Sequence, residues 1–225
     1  MAQNALFSPD YLQFFKELAA NNHKGWFDEN RKRYEKEVKK PFQQFIQALI
    51  DRVKEDDKEV EIEPKDAIFR INRDIRFSKD KTPYKLNMSG IVSPGGRKNK
   101  EAPGLYVEAG PEHFRIYGGV YMLDKNNLED LRFHIAAQGR KFEQLINDKT
   151  FVSHYGEIRG EKAKRLPKEL KEAAEKQPLI YNKNFYYFAE LPPETVIAEN
   201  VVDQVMEYYH AGKDLMYFFR QVIHY

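Results

Sequence analysis

Apolar residues recur at helical spacing in both outer thirds of the chain and alternate with polar ones through its middle. Leu12, Phe15 and Leu18 form the first stripe. Ser8-Pro9-Asp10 ahead of it reads as an N-cap, a proline at the first helical position and an acid in the first turn. Asn21-Asn22 ends that helix. A second helix is expected from Trp26 towards Val38, with Phe27, Arg31, Tyr34 and Val38 on one side. Pro41 must then start a new helix or kink the old one. Beyond it Phe42, Phe45, Ile46, Leu49, Ile50 and Val53 follow at i, i+3, i+4, i+7, i+8 and i+11, the clearest helical period in the first third.

The period changes after Pro64. Residues 68–77 alternate, which predicts a strand, and residues 86–93 predict a second. A polar, lysine-rich loop fills 95–104. Leu105–Ala109 and residues 114–121 read as a hairpin about Gly110-Pro111-Glu112-His113. Helical spacing returns at Leu128, Leu131, Ile135, Phe142, Leu145 and Ile146. Residues 153–178 are polar and basic without a clear period. Phe185–Leu191 predicts a short aromatic strand, and residues 201–222 a last helix that Gly212 breaks or caps. Gly118-Gly119 suggests a bulge or a close backbone approach within a strand. The expected fold is α+β: an antiparallel sheet of about four to six strands packed by N-terminal, middle and C-terminal helices. No repeat or linker divides residues 1–225, so one domain is expected.

Composition narrows the chemistry. The 225 residues are 41% hydrophobic and 14% aromatic, enough to bury a core. There is no cysteine, so disulfides, thiolate nucleophiles and cysteine-held metals are excluded. The N-terminus lacks the basic and apolar regions of a signal peptide, and no apolar run is long enough for a membrane span. A cytoplasmic protein without membrane attachment is expected. No cofactor is indicated, and the oligomeric state is left open. The six histidines never come closer than 14 residues, so no local metal pair exists. No nucleophile elbow and no phosphate-binding glycine loop is present.

Charge is uneven. The total is +2, yet residues 65–100 carry ten basic against three acidic side chains, a local +7 that leaves −5 for the rest. Within them lies IFRINRDIRFSKDKTPYK, residues 68–85. On a strand, Arg70, Asn72, Asp74 and Arg76 would share one face. Ser78, Lys79, Lys81 and Lys85 follow. Arginine forks engage two oxygens of a phosphate or carboxylate at once, so these eight residues form a candidate anion site for a phosphorylated small molecule or nucleic acid. Arg70 and Arg76 would grip the anion, Asn72 and Asp74 orient them, and the lysines add field at the mouth, with the loop 95–104 closing over it.

The same residues also fit a structural account. Arg70 with Asp74, or Asp74 with Arg76, would make an ion-pair ladder, and residues 51–63 offer seven further acids nearby. Arg73, set among apolar neighbours, reads as structural. Two other functions compete. Asp74 or Asp80 with a divalent ion would make a phosphate-ester hydrolase or nuclease. The run Phe185-Tyr186-Tyr187-Phe188, or the last helix, would make a surface for a protein partner. Trp26 and that aromatic run are more simply read as core.

Three stretches carry a family resemblance: FFKELAANNHKGWFDENRKRYEKEVKKPF, then IFRINRDIRFSKDKTPYK, then APGLYVEAG with the later YGGVYM. Together they resemble a bacterial family known as domain of unknown function 2461. The resemblance covers nearly the whole chain. It implies no particular activity, since none is assigned to the family. It does place Arg70, Arg73, Asp74, Arg76, Phe77, Ser78, Lys79, Asp80, Lys81, Pro83, Tyr84 and Lys85 on the family's signature, with Asn21, Asn22, Trp26 and Phe27 on an N-terminal one. The chain departs from the family pattern after Arg165-Leu166-Pro167-Lys168.

Overall fold

The computed structural model describes residues 5–225. The N-terminal third is helical: α1 (Asp10–Ala20), α2 (Lys24–Glu29), α3 (Arg31–Arg33), one π turn (Tyr34–Lys39) and α4 (Lys40–Asp56). The expected helix from Trp26 to Val38 is thus split at Asn30 and then widened. The π turn places its change of register just before Pro41, where an α-helix would clash with the proline ring and lack one hydrogen bond. Ser8 does not cap α1 with its side chain; its hydroxyl donates to Glu37 Oε2 at 2.7 Å instead. The stripe on α4 is buried throughout, as its spacing requires.

A short α5 (Pro64–Ala67) precedes the sheet, whose strands are β1 (Met88–Val92), β2 (Leu105–Ala109), β3 (Phe114–Val120) and β4 (Phe185–Leu191). They lie in the order β1-β2-β3-β4, every pair antiparallel. Between β3 and β4 come α6 (Lys125–Ala137), α7 (Gly139–Ile146), α8 (Lys149–Tyr155) and α9 (Lys171–Lys176). The helical period of 128–146 is therefore two helices, and the polar stretch 153–178 holds the end of α8 and all of α9. The chain closes with α10 (Val201–Arg220).

One face of the sheet is packed under helices. Phe114, Ile116 and Val120 of β3 point there, as do Leu105, Val107, Ala109, Phe185 and Tyr187 of its neighbours. Two apolar clusters lie on this face. The first joins α1, α4 and β1–β3; the second joins α6–α9, β4 and the end of α10. Helix α10 serves both, giving Val205 and Met206 to one and Phe218 and Phe219 to the other. It runs unbroken through Gly212, contrary to the expected break. The physical reason is Tyr187: a Cβ on Gly212 would stand 2.6 Å from its ring, and the tyrosine hydroxyl donates to the Gly212 carbonyl at 2.7 Å. The glycine admits a ring and leaves the helix intact.

Among the described residues no helix is long and apolar enough to cross a membrane.

Candidate functional site

The predicted strand at 68–77 does not form. Only Ile68 and Asn72 make single bridges, to Gly90 and Tyr84. The segment runs beside residues 83–89 through three scattered bonds: Phe69 N–H to Ser89 O, Lys85 N–H to Ile71 O, and Arg73 N–H to Pro83 O. Local side-chain bonding defeats regular pairing beyond Arg73. Asp74 turns back on the backbone N–H of Arg76 and takes its guanidinium at 2.9 and 2.7 Å. Arg73 is held by Asp80 and Thr82. Phe77, alternating into an apolar face on paper, is 95% exposed.

The eight candidate residues are accordingly not on one face. Arg76, Ser78, Lys79 and Lys81 lie on a projecting loop, and the fork of Arg76 is already taken by Asp74. Exposed pairs of this kind add little stability, so no buried ladder exists. The acids of 51–63 do not serve these arginines either. Asp56 faces Lys213 and His210, Asp57 faces Arg220, and Glu59 receives the Tyr225 hydroxyl. Among the described residues no three acidic or histidine side chains gather as a metal site.

Asp80 is the best-held acid of the loop. The Thr82 N–H, the Arg73 guanidinium and the Thr82 hydroxyl lower its carboxyl from the ordinary 3.8 to about 2. A depressed carboxylate contributes order above its ordinary pKa and loses it as pH falls through the lowered value. The Arg73–Asp80–Thr82 clamp should therefore persist in acid down to about pH 2. A carboxyl-carbon NMR titration of Asp80 checks this; an inflection near 4 would mean that the clamp is open in solution.

Lys85 has a different position, near enough to Arg70 to feel its charge, and the N-terminal signature sets it. The Asn22 side chain pairs with the Tyr84 backbone in both directions, at 3.0 and 3.1 Å. Phe27 stacks on the Tyr84 ring at 4.1 Å. That grip delivers Lys85 to the helix-free face of the sheet, with its ammonium 5.7 Å from the Phe69 ring centroid. Burial draws the Lys85 proton affinity down; Glu108 opposes this and Arg70 adds to it.

The register of the strands orders that open face into rows. Ile91, Tyr106, Tyr117 and Phe188 lie directly across from one another, and beside them Ser89, Glu108, Arg115 and Glu190. Ring contacts run from Phe69 to Tyr106 (6.0 Å), Tyr117 (5.4 Å) and Phe188 (5.0 Å). Cations stand at both ends: Lys85 over Phe69, and Arg159 over Phe188 at 4.2 Å. Sequence reading missed this face because it emerges only when four strands are aligned. The alternation of Tyr106 and Glu108, and of Arg115 and Tyr117, was the available signal.

A cavity of about 630 Å³ opens on this face, walled by Phe69, Tyr106, Tyr117, Tyr121 and Tyr186. That is a usual size for a small-molecule site. Arg97 and Lys100 form its rim from the loop 95–104, and neither has an acidic partner among the described residues. The loop is anchored from behind. Arg220 donates to Pro103 O at 2.9 and 3.2 Å, and Glu101 takes the Asp124 N–H at the start of α6. A second cleft, about 810 Å³, lies between α7 and α9. There Arg140 and Lys176 face Glu143, Glu169 and Glu172, so the lining is net acidic by one charge, and no aromatic ring lines it.

Residues 10–218 match the model of a family described as conserved hypothetical protein, DUF2461. The chain belongs to the DUF2461 family. No curated protein and no solved structure matches it. In this DUF2461 chain the two signature stretches meet in space through Asn22, Phe27 and Tyr84. Part of the signature therefore has a structural task, that of fixing Lys85 beside Phe69.

Proposed function

We propose that the open face of the sheet binds a phosphorylated ligand carrying a flat ring, the nucleotide class, free or within a strand. The observation that supports this most is the pairing of an aromatic-walled cavity with unpartnered cations on its rim, Arg97 and Lys100. Aromatic faces take planar rings, and each such stack is worth about 1–3 kcal/mol. The cations supply the phosphate contact and the salt dependence that goes with it. Arg70 and Lys85 extend the positive field past Phe69. Arg76, Ser78, Lys79 and Lys81 contribute at longer range from their loop. The cysteine-free chain suits the reducing cytoplasm, the compartment we propose for it.

Thermal melting with nucleoside monophosphates, short oligonucleotides and inorganic phosphate tests the proposal, because a ligand held only by the folded state raises the midpoint. Nucleotides should raise it, and Tyr117→Ala should weaken binding about 5- to 150-fold. Arg97→Ala with Lys100→Ala should flatten the salt dependence. If no nucleotide or oligonucleotide shifts the midpoint at millimolar concentration, the proposal fails.

A further inference from the structure

Glu108 is the sole acid in the wall of a cavity whose other charges are positive. Its position is built. His113 Nε2 stands 2.6 Å from Oε1, and the Tyr106 hydroxyl donates to Oε2 across 3.4 Å. Arg115 lies 3.8 Å away, engaged mainly with Glu190 at 2.7 Å. A carboxylate offers about four lone pairs. His113 and Tyr106 occupy one on each oxygen, which leaves one on each. The group is thus held by its neighbours with acceptor capacity left on both oxygens.

The cavity is also polarised end to end. Gly104 lines it at the end where β2 begins, next to the loop that carries Arg97 and Lys100, and Glu108 lines it farther along β2. They are four residue steps apart, about 13 Å along extended backbone. Tyr106 and Tyr117 stand between. A ligand lying along this line meets cations, then ring faces, then a two-acceptor carboxylate. A mononucleotide laid out in that order has its phosphate at the rim, its base on the tyrosines and the far edge of the base on Glu108.

Base edges differ in what they offer a carboxylate. Guanine presents a ring N–H and an exocyclic amino group side by side, two parallel donors that match two parallel acceptors. Adenine and cytosine each set one donor beside an acceptor, which a carboxylate repels. Uracil flanks its single N–H with two carbonyls. Resting on the nucleotide reading above, we propose that Glu108 makes the open-face cavity selective for guanine nucleotides, with His113 as the residue that positions it.

The test measures the affinities of GMP, AMP, CMP and UMP for the wild-type chain and for Glu108→Gln, with inorganic phosphate as control. Discrimination by a good bidentate contact is expected to be about 5- to 150-fold in favour of GMP over each of the others. Glu108→Gln, whose amide sets one donor beside one acceptor, should remove that preference by lowering GMP affinity and raising that of the other three, with the melting midpoint close to wild type. His113→Asn, which does not touch the base, should lower GMP affinity and spare UMP. If all four bind alike, or another base is preferred, the selectivity is overturned and the nucleotide reading stands. If none binds, both fall together. Should Glu108→Gln fold poorly, the order of affinities in the wild type decides the matter alone.

Discussion

Asp57→Ala should cost about 3–5 kcal/mol of folding stability, and Arg220→Ala as much, because each leaves its partner charged and alone in the interior. The two side chains form an ion pair that is only 8% (Arg220) and 5% (Asp57) exposed. Asp57 lies just past the end of α4, and Arg220 is the last residue of α10. The pair therefore ties the N-terminal helices to the C-terminal one. Its remaining partners are few. Asp57 Oδ1 accepts the Glu59 N–H at 3.2 Å, and Arg220 donates to Pro103. Denaturant melting of both single variants measures the loss. Replacing both residues by apolar ones of like size should recover much of it, since the cost lies in the orphaned charge. Losses below about 1 kcal/mol would mark a solvated pair. Arg220→Ala has a second effect that Asp57→Ala lacks: it frees Pro103 and with it the loop bearing Arg97 and Lys100. Its nucleotide affinity should fall further than that of Asp57→Ala at equal folded fraction.

Gly212→Ala should destabilise by about 3 kcal/mol, the upper end of what overpacking costs. In an ordinary helix interior the same change gains about 1 kcal/mol. The sign reverses here because the ring of Tyr187 is held on both sides. A Cβ at Gly212 would lie 2.6 Å from it, and one at Gly118 of β3 only 2.3 Å. Neither α10 nor β3 has room to retreat, as both are packed in the core. Gly118→Ala should behave alike. The mechanism is separated from general intolerance by repeating Gly212→Ala with Tyr187→Leu, where the ring is gone. There the substitution should turn neutral or stabilising; if it remains costly, the clash with Tyr187 is not the cause.

The parts of the fold that were legible are those whose signal is local. The stripe on α4 and the hairpin of β2 and β3 follow from periods of 3.6 or 2 within a dozen residues, and the limits of β4 from a short aromatic run. The segment 68–77 has the same period of 2 and is not a strand. Its alternation is overruled by Asp74, Asp80 and Thr82, whose side chains bond their own loop, and by Pro83, which cannot donate to a neighbour. The reading of Gly212 failed for a related reason, since the residue that explains it lies 25 positions away. The candidate site was half visible. Arg70 and Lys85 were singled out by charge, but Tyr117, Glu108 and Arg97 come together only through strand register.

The sheet is finished late. The partner of β3 is β4, and residues 121–184 must be synthesised between them, roughly 3–13 s of translation at ordinary rates. For that interval the nascent chain carries a bare strand edge, the kind of surface on which chains join one another. The strand left waiting contains Gly118 and Gly119, and Gly119 has φ +91°, outside the range of an extended strand. Its backbone is a poor template for any stranger, whereas β4 brings Tyr187 to fill the space over Gly118 and lets Phe185 O sit where a Cβ on residue 119 would be. The glycines that admit the correct partner should thus also make the waiting edge a poorer fit for a strand from a neighbouring chain.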